Sequence, residues 1–252
     1  MTRASTRSAL SRKYLPMRQR LLLIPEKADV ERDAVATAWK GAGGSVMRIG
    51  RFWDPPDVDR SRVHVYGNDT FCLVLAEKLS LQLVSPSDHI LASIPKEFAR
   101  REIRILPLAD LKADAFPVFV KSVIPKQFKS AVYDSEASLT AETQGLAASE
   151  EVLVSSVVTF VAEARAFVLD GSVRACAIYE GEASAADAAR FAERIVSTMG
   201  APTFPRTCVV DVGLMEDGQW ALVECNAPWG AGLNGCDPAP VLACIAAASE
   251  PK

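Results

Sequence analysis

Two apolar, strand-like segments joined by a turn signal constrain the fold of this chain more than any other feature. The segments are residues 208–214 and 220–225, and the pair Asp217-Gly218 stands between them. Asp-Gly between apolar runs predicts a β-hairpin, because glycine accepts the positive φ that a tight turn needs. The sequence therefore predicts two antiparallel strands here.

Three side chains with oxygen atoms lie on the predicted hairpin: Asp211 on its first strand, and Glu224 and Asn226 on its second. Glu224 and Asn226 are two residues apart and so face the same side, and a hairpin that pairs about its Asp-Gly turn brings Asp211 across from them. Mg²⁺ prefers such carboxylate and amide oxygens, usually together with nucleotide phosphates. The alternative is an ordinary hairpin with solvated acids. Against it, both acids stand in apolar sequence, where a lone charge is costly to bury.

The hairpin and the loop that follows it resemble the C-terminal metal-binding motif of the ATP-grasp superfamily. The matching residues are Asp211, then Glu224-x-Asn226, then the Pro/Gly-rich loop 228–232. The resemblance implies that the three oxygen-bearing residues hold the Mg²⁺ (or Mn²⁺) ions that bridge the phosphates of ATP. It also implies a Rossmann-like N-terminal domain followed by a two-lobed ATP-grasp fold, which is α/β overall and α+β in its C-terminal part.

The composition is that of a globular protein. The 252 residues (27.1 kDa) are enough for one large domain or two to three small ones. The chain is 49% hydrophobic and 23% charged, and no apolar run approaches the roughly 18 residues of a membrane span. The net charge of −3 argues against a general nucleic-acid binder. Six cysteines without a CxxC pair and two histidines argue against a zinc site and predict reduced, mostly buried thiols in a cytoplasmic protein.

Changes in pattern along the chain divide it into four parts. The predicted parts are a basic tail (1–20), a Rossmann-like domain (21–95), an ATP-grasp small lobe (96–155) and a large lobe with the metal site (156–252). The tail has basic residues and no acid, and it lacks the apolar stretch of a secretory signal. We therefore expect disorder rather than a secretory signal. A contact with partners or an organelle transit signal is the alternative.

Short strands alternate with helices in the second part, which predicts a small parallel sheet. The predicted strands are 21–24, 46–49, 63–66 and 81–84, and the predicted helices are 29–40 and 69–79. Glycines at 41–44 follow the first helix rather than precede one, so they indicate a helix stop and not a phosphate-binding loop.

The predicted small lobe offers lysines for the phosphates. Lys121 lies in a strand-like run, where a charge normally needs a reason. The resemblance makes it a phosphate ligand, and an edge-strand lysine in solvent is the alternative. Many ATP-grasp proteins follow this lysine with a glycine-rich loop. This chain lacks those glycines, so Lys126 and Lys129 are the candidates to supply charge instead.

In the predicted large lobe, the resemblance makes Ser156, Val157 and Val158 part of the segment whose backbone pairs with adenine. It makes Glu163 the acceptor for the ribose hydroxyls. Arg165 shares a strand face with Glu163, and its planar fork suits a phosphate or a carboxylate. A plain Glu163–Arg165 salt bridge is the alternative.

Helical spacing of apolar residues predicts two further helices. Residues 185–199 carry an apolar stripe that we expect to face the core, and Gly200 ends that helix. Residues 240–248 are a small-residue helix followed by a short polar tail.

The resemblance implies an ATP-dependent carboxylate–amine (or carboxylate–thiol) ligase. In that chemistry ATP phosphorylates a carboxylate, and the nucleophile then displaces phosphate from the acyl-phosphate. Lys121 and Arg165 are the predicted catalytic residues: Lys121 holds the phosphates, and Arg165 steadies the transferred phosphoryl group. A non-catalytic nucleotide-binding module and a kinase-like transfer are the alternatives, and the missing glycines favour the module.

The loop after the hairpin is the candidate acceptor site. Trp229, Gly230 and Asn234 are its predicted substrate residues. The expected partners are small-molecule or peptide carboxylates and amines, and a homodimer is left open.

Overall fold

The computed structural model describes residues 16–124 and 127–252, so most of the predicted basic tail lies outside the described part. The strands are β1 Leu21–Pro25, β2 Ser45–Ile49, β3 Val63–Val65, β4 Leu81–Leu83, β5 Ile103–Pro107, β6 Val118–Ser122, β7 Ala131–Tyr133, β8 Glu151–Ser155, β9 Phe160–Leu169, β10 Ser172–Gly181, β11 Thr207–Met215, β12 Trp220–Asn226 and β13 Ser249–Pro251. The α-helices are Val30–Gly41, Asp69–Lys78, Ile90–Ser93, Lys96–Ala99, Glu136–Glu142, Ala185–Met199 and Pro238–Ala247. Single 3₁₀ turns cover Met17–Gln19, Arg60–Arg62, Leu108–Asp110 and Ala113–Ala115.

A parallel sheet in the order β2-β1-β3 begins the fold. Residues 22–24 of β1 are fully buried, as expected for a parallel strand that is covered on both faces. Asp29, the first residue of the predicted helix, is the N-cap of helix Val30–Gly41, and its side chain accepts the N–H of Arg32 at 2.9 Å. The helix ends at the predicted glycines, where Gly43 has a φ of 90°. The parallel pairing of the first three strands is confirmed, and a Rossmann-like domain stays a prediction.

The fourth predicted strand does not join the parallel sheet. β4 instead pairs antiparallel with β13, which places Ser249 opposite Leu83 and Pro251 opposite Leu81. The short polar tail predicted after the last helix thus forms a strand, because backbone groups carry this pairing whatever the side chains are. The preceding helix begins at Pro238 and not at residue 240.

A second sheet, in the order β5-β8-β6-β7, is antiparallel throughout. β6 lies between β8 and β7, so Lys121 is not on an edge strand. The second strand of this sheet, β8, ends at Ser155, and the next strand, β9, begins at Phe160. Residues 156–159 connect this sheet to the next one.

A third sheet, in the order β10-β9-β11-β12, is also antiparallel. Its last two strands are the predicted hairpin, with Gly218 at a φ of 76° in the turn. Helix Ala185–Met199 has the predicted bounds and buries Phe191 and Ile195 in the same core cluster as Ala164 and Ala166 of β9. The small residues of β9 let the helix approach the sheet closely.

All six cysteines are free, and four of them are buried, which confirms the prediction of mostly buried thiols. Within the described residues, every helix is too short or too polar to cross a lipid bilayer.

Candidate functional site

Asp211 and Glu224 face each other across the β11–β12 hairpin, as predicted. The register pairs Asp211 with Glu224 and Val212 with Leu222, which leaves Val223 as an extra residue of β12. This extra residue is a β-bulge, which bends a strand and changes the direction of nearby side chains. The site therefore stands where the regular strand pairing is interrupted.

Asp211 is only 1% exposed and binds the Arg165 side chain from the neighbouring strand β9. Arg165 Nε donates to Oδ1 at 2.8 Å and Nη2 to Oδ2 at 2.6 Å, while Nη1 donates to the Gly232 carbonyl at 3.0 Å. Burial raises the pKa of Asp211 to about 6; Arg165 opposes the rise, and the Glu224 carboxylate adds to it. Burial lowers the pKa of Arg165, but Asp211 outweighs it and the net shift is upward. The alternative of solvated acids is wrong for Asp211, and the fork of Arg165 already binds a carboxylate of the chain.

Lys121 reaches the same place from the second sheet. Its Nζ lies 3.8 Å from Glu224 Oε2, and the two side chains are 26% and 39% exposed. Asn226 Nδ2 donates to the other oxygen, Glu224 Oε1, at 2.8 Å. The alternative interpretation, in which Lys121 points into solvent from an edge strand, is therefore wrong. An ion pair this exposed adds little stability. The contact matters because it places the Lys121 ammonium group beside Glu224.

Glu163 lies beside this group on β9, two residues before Arg165. Tyr179 of β10 donates its hydroxyl to Glu163 Oε2. Burial, followed by the hydrogen bond to Glu163, raises the pKa of Tyr179. The tyrosine thus stays protonated and fixes the Glu163 carboxylate. Arg165 and Glu163 share a strand face as predicted, but each has its own partner.

The predicted adenine-pairing residues occupy the connection between the second and third sheets. The Ser156 N–H donates to the Glu102 carbonyl at 3.1 Å. Val157 is 46% exposed, and Val158 is half-buried. Their place between two sheets agrees with a cleft, and their contact with adenine stays a prediction.

The structure gives less support to the two other candidate phosphate ligands, Lys126 and Lys129. Lys126 lies outside the described residues. Lys129 is exposed, and its backbone is held on both sides: its N–H donates to Glu142 Oε1 at 3.2 Å, and its carbonyl accepts the Tyr133 hydroxyl at 2.5 Å. The structure does not bring the Lys129 side chain into the group around Glu224.

Two of the predicted acceptor-site residues attach the loop after the hairpin to the N-terminal part. Trp229 is buried, and its Nε1 donates to Ser85 Oγ at 3.1 Å. The N–H of Asn234 donates to Glu31 Oε1 at 2.7 Å. Gly230 lies close to Asp69: a Cβ on it would be 3.5 Å from that carboxylate. The Trp229 side chain is thus a packing group, and a substrate role for these three residues stays a prediction.

Residues 98–244 match a family model described as an ATP-grasp domain, the second family of its clade. This match spans more than half of the chain. The chain belongs to this ATP-grasp family. No curated protein matches the sequence.

Solved structures show the same ATP-grasp fold. A RimK domain ATP-grasp protein from Sphaerobacter thermophilus DSM 20745 is 18% identical, with a TM-score of 0.56, over 90% of this chain and 99% of that one. The D-cycloserine synthetase DcsG is 14% identical, with a TM-score of 0.54, over 90% and 98%. The ATP-grasp ligase PsnB, in complex with a phosphomimetic variant of its minimal precursor, Mg and ADP, is 14% identical, with a TM-score of 0.51, over 90% and 96%. These identities support the fold alone.

The donor set of this ATP-grasp chain fits a hard cation that binds together with phosphates. Among residues 16–124 and 127–252, no three His, Cys, Asp or Glu side chains are grouped as a metal site. Asp211 and Glu224 supply two carboxylates, and Asn226 supplies an amide oxygen. Mg²⁺ needs six oxygen ligands and usually takes the missing ones from water and nucleotide phosphates. A bare cation would therefore bind weakly here, and a nucleotide-bound one better.

Sequence reasoning missed two residues that contact the predicted site residues of this ATP-grasp protein: Tyr179 and Glu31. Tyr179 lies on β10 with no motif around it. Glu31 looks like an ordinary acid in the first turn of a helix, but its carboxylate accepts the N–H groups of Leu233 and Asn234. Only the packing of distant segments reveals these contacts, so no sequence signal could have identified them.

Proposed function

We propose that this ATP-grasp protein is an ATP- and Mg²⁺-dependent ligase. It activates a carboxylate as an acyl-phosphate for attack by an amine, and it releases ADP and phosphate. The observation that carries the proposal is the approach of Lys121, from the second sheet, to Glu224 beside the Arg165–Asp211 pair of the third sheet. The cation of Lys121 thus comes from the second sheet, and the cation of Arg165 and the carboxylates of Asp211 and Glu224 come from the third. This arrangement suits a bound polyphosphate.

Lys121 neutralises phosphate charge in this proposal. Its ammonium group lies at the solvent-accessible side of Glu224 and carries mobile N–H donors. A nucleotide phosphate can therefore compete for it without breaking a buried contact.

Arg165 orients Asp211 and contacts the reacting phosphoryl group. A guanidinium has five N–H donors, and the described residues engage three of those of Arg165. The two others are free for phosphoryl or acyl-phosphate oxygens. Asp211, Glu224 and Asn226 would hold Mg²⁺, which when bound offsets the charge that develops on the transferred group.

Structurally similar proteins support two acceptor classes, small molecules and peptides. DcsG is a D-cycloserine synthetase, and a structure of PsnB contains a precursor peptide. The loop that contains Trp229 and Asn234 joins the metal-binding hairpin to the N-terminal part. This position supports an acceptor site at that junction.

A non-catalytic Mg-ATP-binding module is the second candidate. One observation favours it: both oxygens of Asp211 already accept hydrogen bonds from Arg165, so a metal must compete with a buried ion pair. This candidate predicts that Mg-ATP binds but that no acceptor stimulates ADP release.

The decisive experiment measures ADP release and product mass with a panel of amino acids and small peptides. The wild-type chain should release ADP with at least one pair of substrates and form a product of the mass of the amide. Glu224→Gln should bind the same substrates, keep the unfolding temperature and lose turnover. Glu216→Gln, which changes an exposed acid in the turn of the same hairpin, is the matched control. Unchanged ADP release in Glu224→Gln would contradict the proposal.

A further inference from the structure

Arg101 is a partly buried arginine that joins the beginning of the second sheet to the edge of the third. Its Nε donates to Ser155 Oγ at 3.0 Å. Its Nη1 donates to the Ala99 carbonyl at 3.0 Å and to the Leu222 carbonyl at 2.5 Å, and its Nη2 donates to the Val223 carbonyl at 3.1 Å. One side chain therefore contacts three separate segments.

The acceptors that the described residues provide for Arg101 are neutral oxygens. Even a partly buried cation is unfavourable without an opposite charge beside it, and burial lowers the pKa of Arg101 to about 10. The unfavourable free energy of this guanidinium must be offset by the structure that its hydrogen bonds hold in place. The segments that Arg101 contacts show which parts of the structure these are.

The first of these segments is the bulge next to Glu224. Val223 is the extra residue of β12, and β12 is the edge strand of its sheet. The carbonyls of Leu222 and Val223 accept hydrogen bonds from Arg101, so they are not left without donors where the pairing is interrupted. A bulge without such a donor would be free to change conformation, and the direction of the next side chain, Glu224, would change with it.

The second segment is the connection of residues 156–159 between the two sheets. Arg101 donates to Ser155 at one end and lies over the Phe160 ring at the other, with Cζ 5.9 Å from the ring centroid. The neighbouring residue Glu102 accepts the N–H of Ser156 at 3.1 Å. Both ends of the connection are thus fixed by the same short stretch of chain.

We propose that Arg101 is a positioning residue that holds Glu224 and the 156–159 connection in a fixed relation, so that the metal end and the adenine end of one nucleotide are aligned by a single guanidinium. This inference rests on the proposed Mg-ATP site. It assigns no catalytic step to Arg101. It requires the planar fork, because Arg101 reaches Ser155 and the two carbonyls from three separate nitrogen atoms, whereas a lysine carries all of its donors on one.

The test uses Arg101→Met and Arg101→Lys in the whole chain, with Arg100→Met as the matched control. Arg100 also reaches the hairpin, but at its turn, where Nη2 donates to Asp217 Oδ2 at 2.8 Å. In the absence of nucleotide, amide hydrogen exchange should become about tenfold faster at residues 222–226 and 155–160 in Arg101→Met. Exchange in β1 should not change, whereas a general loss of stability would speed it too. Arg101→Lys should lie between wild type and Arg101→Met, and it carries the test if Arg101→Met does not fold.

A calorimetric titration of Mg²⁺ at fixed ATP completes the test. The Mg²⁺ concentration for half-maximal nucleotide binding should rise about tenfold in Arg101→Met and remain at the wild-type value in Arg100→Met. If wild type binds Mg-ATP and Arg101→Met matches it in both measurements, the inference is wrong. If wild type takes up no Mg-ATP, the proposed function and the nucleotide part of this inference fail, and exchange at the bulge still decides whether Arg101 holds it.

Discussion

Replacement of Arg165 by methionine would leave the Asp211 carboxylate buried without its cation. Asp211 is 1% exposed, and both of its oxygens accept hydrogen bonds from Arg165, at 2.8 and 2.6 Å. Removal of one partner of a buried pair costs about 3–5 kcal/mol. In a chain of this size each kcal/mol lowers the unfolding temperature by about 2–4 °C. We therefore expect Arg165→Met to unfold roughly 6–20 °C below wild type.

A double-mutant cycle separates the pair from the general effect of mutation. Asp211→Leu should also destabilise the chain, while Arg165→Met with Asp211→Leu should recover about 2 kcal/mol or more of the summed loss, because no charge remains buried. Unfolding is followed by circular dichroism in buffer free of metal and nucleotide. Arg206→Met is the control: it removes the exposed pair with Asp170 and should cost at most about 1 kcal/mol. Additive losses in the cycle would refute the reasoning.

Two further predictions concern neighbours of the site. Tyr179→Phe removes the hydroxyl that donates to Glu163 and should weaken ATP binding roughly fivefold, or about 1 kcal/mol; an unchanged dissociation constant in an equilibrium titration would contradict a role for this pair. Gly213→Ala places a Cβ 2.3 Å from Phe160 Cδ1 and should cost about 1–3 kcal/mol in urea unfolding, because the ring has to move. Gly41→Ala, with no atom within 4 Å of the added Cβ, is its control, and equal stability of the two variants would refute the clash.

The sequence predicted the hairpin well because a local signal determines its register. The Asp217-Gly218 turn joins the two strands directly, so Asp211 can only pair near Glu224. The partner of Asp211 could not be predicted in this way. Arg165 meets Asp211 because β9 lies beside β11, and the order of strands in a sheet depends on contacts far apart in sequence.

The buried acid shows both the strength and the limit of the sequence argument. The apolar residues around Asp211 predicted correctly that a buried charge needs a partner. The sequence could not tell a metal ion from an arginine, since both satisfy that need. Lys121 posed the same difficulty: its strand was predicted, but its approach to Glu224 depends on how two sheets are placed.

The pairing of β4 with β13 has a consequence for biosynthesis. β4 lies early in the chain, and its only neighbour in that two-stranded sheet is Ser249–Pro251. Helix Pro238–Ala247 likewise contributes Val241 and Ile245 to a core cluster that contains Leu22 of β1. Chains emerge from the ribosome N-terminus first, so the core around β1 and the pairing of β4 form only after helix Pro238–Ala247 and β13 have been synthesised. The matched family segment, 98–244, would thus be a poor unit to express alone, because it lacks β4, β13 and helix Val30–Gly41, which packs against this helix.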